Sequence, residues 1–82
     1  MTSIPKIFAA VMDGRRDNNI LFADLQKLLD VFGFSYRVKS SHYIYWREGI
    51  TEIINIQSDN GKAKAYQVKQ VREIIRKYRL IF

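Results

Sequence analysis

Eighty-two residues with 48% hydrophobic side chains make one domain, near the small end of what folds alone. The absence of cysteine excludes a disulfide framework and a thiolate nucleophile, and no apolar run approaches the roughly 20 residues of a membrane span. Residues 1–60 hold seven basic and seven acidic groups, so the net charge of +6 resides in residues 61–82, where Lys62, Lys64, Lys69, Arg72, Arg76, Lys77 and Arg79 face Glu73 alone. That asymmetry points to a nucleic acid or an acidic protein surface as partner. Met1 to Lys6 lacks the apolar stretch of a secretory signal, and the absence of cysteine makes the cytoplasm the expected compartment.

In chain order, Ile4, Ile7, Phe8 and Val11 recur at helical spacing and predict a short amphipathic helix ended by Gly14. Arg15 to Asn19 reads as a polar turn. A second helix begins near Phe22, with Phe22, Leu25, Leu28, Leu29 and Phe32 on one face, Asp24 in its first turn and Gly33 closing it in the left-handed conformation. The period then changes. Phe34–Val38 alternates, Ser41–Arg47 is dense in aromatic and β-branched residues, and Thr51–Ile56 follows a Glu48-Gly49 turn, which predicts three strands. Gln57 to Ala65 reads as a polar loop with an Asn-Gly turn signal. The last helix runs from Tyr66 to about Tyr78, with Val68, Val71, Ile74, Ile75 and Tyr78 inward. Lys69, Arg72, Arg76 and Arg79 are spaced to form one basic stripe on it. The predicted fold is α+β, an α-α-β-β-β-α two-layer sandwich with a three-stranded antiparallel sheet, resembling a double-stranded-RNA-binding domain with an extra helix in front.

The chemistry-bearing residue is His42, the single histidine. Imidazole is the side chain whose ordinary pKa lies nearest neutral pH, and RNA carries its own nucleophile in the 2′-hydroxyl. One base beside a phosphate therefore suffices to start cleavage, with no metal. Ser41 is placed to orient the imidazole or bind a phosphate oxygen. Asp30, the one carboxylate weighed as an orienter, sits on a helix and makes no Ser/His/Asp triad. Lys62 and Lys64 lead into a helix N-terminus, with Lys69 and Arg72 following, which is an arrangement suited to phosphates. It is not a P-loop, since the Gly-Lys-Ser/Thr step is missing. The tyrosines at 36, 43, 45, 66 and 78 are mostly packing residues, with one or two able to stack on bases. On these residues alone, a satisfied structural histidine and a solvated basic helix remain open as readings.

Three stretches together resemble the HicA toxins of bacterial type II toxin–antitoxin systems: the helix closing on Leu28-Leu29-x-x-x-Gly33-Phe34, the strand Ser41-His42-Tyr43-Ile44-Tyr45, and the run from Asn55-Ile56-Gln57 through Gly61-Lys62-Ala63-Lys64-Ala65-Tyr66-Gln67-Val68-Lys69-Gln70. The likeness extends from about residue 4 to residue 80. Ser40 stands where the family has glycine, and Ala65 where a subgroup has proline. The resemblance implies a ribosome-independent mRNA endoribonuclease that inhibits translation, with His42 catalytic and no cofactor. It also implies a chain monomeric when free and hetero-oligomeric with a HicB-type antitoxin that masks the site. Under this reading Lys62, Lys64, Lys69 and Arg72 hold the phosphate backbone, and Lys39 stabilises charge on the scissile phosphate. Tyr43, Tyr45 or water are candidates for the second acid–base group. A non-catalytic RNA-binding module of the same fold, and a protein whose basic helix docks only on an acidic antitoxin, are the alternatives.

Overall fold

A computed structural model describes residues 3–82; Met1 and Thr2, the start of the segment read for a secretory signal, lie outside the described residues. Helix α1 (Ile4–Asp13) carries a proline in its first turn and ends on Gly14, whose φ of 80° supplies the left-handed closure. A 3₁₀ turn at Asp17–Asn19 leads to α2 (Phe22–Val31). Strands β1 (Ser35–Lys39), β2 (His42–Arg47), β3 (Ile50–Asp59) and β4 (Lys62–Ala63) follow, and α3 (Ala65–Tyr78) completes the chain. Among the described residues no helix is long and apolar enough to cross a membrane.

Among the described residues the sheet has four antiparallel strands in the order β1-β2-β3-β4, not the three expected. The stretch read as a polar loop is a hairpin. Asn60 and Gly61 both take positive φ, 52° and 83°, which is the type I′ geometry that joins twisted strands by two residues. It pairs Asp59 with Lys62 and Ser58 with Ala63, and extends β3 past the predicted end at Ile56. The Asn-Gly signal was visible in the sequence, but a two-residue strand is too short to show a period.

One face of the sheet packs on the helices. Tyr45, Ile54 and Ile56 join Ile7, Val11, Leu25, Leu28, Leu29, Val68, Val71, Ile74 and Ile75 in a single core. Because side chains alternate along β2, His42, Ile44 and Trp46 point to the opposite, solvent-facing side.

Polar clusters near both ends of α3 tie it to its neighbours, to α1 and the 3₁₀ turn at one end and to β3 at the other. Arg72, placed by its helix among Val68, Val71 and Ile75, is buried; its Nη1 donates to Asp17 Oδ1 at 2.8 Å and to Val11 O at 3.0 Å, and its Nη2 donates to Asp17 Oδ2 at 3.1 Å. The guanidinium also lies against Gly14, where an added Cβ would sit 3.5 Å from Cζ. Near the other end of α3, Tyr78 Oη donates to Glu52 Oε1 at 2.6 Å and Lys77 Nζ to Glu52 Oε2 at 2.9 Å.

The Tyr78 hydroxyl, then Lys77, hold the Glu52 carboxyl at about 2 instead of 4.5, and Glu52 in turn raises Lys77. A carboxylate with a depressed folded-state pKa stabilises fully above its unfolded value, and the benefit is lost as pH falls through the folded value. Glu52→Gln is therefore expected to lower Tm near neutral pH and to flatten its decline from pH 4.5 down to about 2. Thermal melts of both proteins across that acid limb provide the check.

Candidate functional site

The β1–β2 hairpin builds the candidate site. Lys39 and His42 are register partners closing the turn, so their side chains share the outer face. His42 also pairs with Gln57 on β3, and Ile44 pairs with Asn55. This register sets Asn55 diagonally beside the imidazole, with Asn55 Oδ1 3.1 Å from His42 Nδ1. Gln57 Nε2 donates to Ser41 Oγ at 3.1 Å. Lys39, Ser40, His42, Ile44 and Asn55 line a shallow depression of about 200 Å³.

With Asn55 Oδ1 accepting, the neutral imidazole carries its proton on Nδ1, and the Nε2 lone pair is left free. The geometry thus offers one exposed imidazole held at Nδ1, a cation on the adjacent strand and two side-chain amides. Asn55 and Gln57 were not singled out as site residues from the sequence. Only the β2–β3 register reveals them, although both sit in a stretch quoted for the family resemblance.

Ser40 occupies the turn with φ 57°. That region costs an L-residue about 1–2 kcal/mol, which glycine avoids at a smaller entropic penalty. Ser40→Gly is expected to stabilise the protein by about 0.5–1 kcal/mol, read as a Tm increase of several degrees.

The remaining expected site residues divide. Lys62 is on the same outer face, two strand spacings from β2 and so roughly 10 Å away; its Nζ donates to Asn19 Oδ1 at 3.1 Å. Lys64 is the half-buried N-cap of α3, whose backbone N–H is taken by Gln67 Oε1 at 3.2 Å. Lys69 is exposed on α3, in the helix layer and not beside His42. Arg72 is a correction. Its side chain is 10% exposed and spent on Asp17, whose hydrogen bonds raise its pKa further, so it cannot serve as a phosphate ligand. The basic stripe loses its second member, and Arg79 lies past the helix end in a left-handed conformation at φ 53°.

The tyrosines considered as a second acid–base group are also misplaced. Tyr43 and Tyr45 point into the helix-facing side of β2, away from His42. Tyr45 is buried, accepts from Gln26 Nε2 at 3.3 Å, and has its pKa raised by that burial.

Among the described residues no group of three or more His, Cys, Asp and Glu side chains converges. The fold and site define a small α+β protein with an exposed imidazole on an open sheet face. No family model, curated protein or solved structure matches this chain.

Proposed function

We propose that this protein is a metal-independent endoribonuclease, an mRNA-cleaving toxin of the HicA type with a fold like that of a double-stranded-RNA-binding domain, countered by a HicB-type antitoxin in the cytoplasm. The observation that carries the reading is His42 on the open face with Nδ1 tied to Asn55 Oδ1. Nε2 then accepts the proton of a ribose 2′-hydroxyl as that oxygen attacks the adjacent phosphorus. The 5′-oxygen of the next nucleotide departs, leaving a 2′,3′-cyclic phosphate. Lys39 stands across the strand pair to offset charge on the phosphate, and Ser41 is held by Gln57 at the rim. With the tyrosines turned inward, water is the remaining candidate from the sequence for protonating the leaving oxygen. Lys62, Lys64 and Lys69 extend the positive surface from the sheet end to the start of α3.

The reading predicts steep salt dependence. Each phosphate contact to single-stranded RNA adds roughly −0.7 to the slope of log K against log salt. Replacing Lys62, Lys64 and Lys69 together by Ala is expected to flatten that slope by about 2. Fluorescence anisotropy of a labelled RNA at several salt concentrations measures it, and an unchanged slope would reject these lysines as the RNA surface. The alternative, a non-catalytic RNA-binding module, keeps the same slope and lacks cleavage.

A further inference from the structure

The two edges of the sheet are finished differently. Beside β4 the chain supplies its own partner: Leu21 bridges Lys62, Ala63 N–H donates to Ile20 O and Phe22 N–H to Gly61 O, each at 2.9 Å. Beside β1 there is no such cover among the described residues. Strand β1 pairs with β2 alone, in unbroken register, and all five of its residues are exposed. Alternate residues of such an edge direct N–H and C=O groups into solvent.

The side chains of β1 divide sharply by face. Tyr36 and Val38 share the helix-side face with their partners Tyr45 and Tyr43, yet each is 52% exposed. The sheet overhangs α2 here, leaving a groove of about 300 Å³ lined by Ala23, Gln26, Lys27, Asp30, Tyr36 and Tyr45. Tyr36 is stacked on Tyr45 at 5.1 Å and lies 5.8 Å from Tyr43, so this apolar wall is already ordered. On the opposite face stand Arg37 and Lys39, neither in an ion pair among the described residues.

These observations specify an occupant. A row of free backbone groups is matched by another extended polypeptide, not by a nucleic acid. The Tyr36–Val38 face calls for apolar side chains at alternate positions, and Arg37 with Lys39 calls for carboxylates between them. We propose that β1 is the docking edge for an acidic polypeptide segment, alternating apolar with Asp or Glu, which adds to the sheet as a fifth strand. A second copy of this chain is the wrong occupant, because antiparallel self-pairing would gather Arg37 and Lys39 of both copies on one face of a protein of net charge +6. The basic side chains thus block self-association and select an acidic strand. This surface goes beyond the RNA reading and stands without it.

The test titrates capped peptides of alternating Val and Glu, or alternating Val and Lys, into isotope-labelled protein at low salt. The Val–Glu peptide is expected to shift and protect amides of β1 and to bind at least roughly tenfold tighter than the Val–Lys peptide. In Arg37→Glu/Lys39→Glu the preference is expected to reverse, and since both positions are exposed this variant folds without relying on the site. Shifts confined to α3, equal affinity for the two peptides, or a dimer in sedimentation that dissociates on changing β1 would each overturn the proposal.

Discussion

His42→Ala is expected to cut the rate of cleavage of a long single-stranded mRNA by about 10²–10⁴-fold in EDTA, the range that general acid–base groups supply. The parent protein should cleave under the same conditions. The imidazole is exposed, so the variant's stability should stay within about 0.5 kcal/mol of the parent, and loss of activity then reports chemistry rather than unfolding. Asn55 provides the finer test, because it touches the ring and not the RNA in this reading. Asn55→Ala leaves the ring free to rotate and lowers the rate with little change in binding. Asn55→Asp places a carboxylate on Nδ1, favours the imidazolium and moves the acidic limb of the pH–rate profile to higher pH. A structural histidine would move neither. Cleavage by parent and His42→Ala alike would reject His42 as the base. Binding by both with cleavage by neither would establish the RNA-binding module and make Ser40→Gly the next protein to assay.

Asp17→Ala is expected to destabilise the protein by about 2–4 kcal/mol, since it strands a guanidinium that is 10% exposed. For a domain of this size that corresponds to a Tm drop of roughly 10–25 °C. Arg72→Met should cost a comparable amount, because it leaves Asp17 and the Val11 carbonyl without their donor. The double variant Asp17→Ala/Arg72→Met should recover part of the loss, as replacement of both partners by apolar groups removes the unpaired charge. Thermal melts of the four proteins decide it. Additive losses in the double variant would show that the pair is not coupled. RNA affinity corrected for the folded fraction should be unaffected by Arg72→Met, in contrast to the lysine variants.

The helices and the two faces of the sheet were legible because their apolar residues repeat at periods of 3.6 and 2. Phe22, Leu25, Leu28, Leu29 and Phe32 are all buried as spaced, and Gly33 takes φ 83° after α2. The alternation His42, Ile44, Trp46 against Tyr43, Tyr45 was also readable, but which face meets the helices was not, since both are aromatic. Arg72 was misread from its charge. Its spacing, four after Val68 and three before Ile75, places it on the apolar face of α3, and spacing outweighed charge once Asp17 was there to pair with it. Asp17 itself gives no local signal, because its partner lies 55 residues away. Asn55 was hidden for the same reason: a cross-strand neighbour is fixed by register, which a single strand does not encode.

The clamp between Asp17 and Arg72 also orders the way the chain assembles. The sheet is a meander of short-range hairpins, β1–β2, β2–β3 and β3–β4, each closed by a two-residue turn. Such local contacts form early and make for rapid folding. The clamp joins residues 55 apart, so the entropy of loop closure opposes it until the rest of the chain is in place, and it is expected to form late. Interactions made after the transition state leave the folding rate nearly untouched and set the rate of escape from the native state. The buried ion pair is thus expected to act as a kinetic latch, governing how long each folded molecule persists more than how quickly a new one arrives.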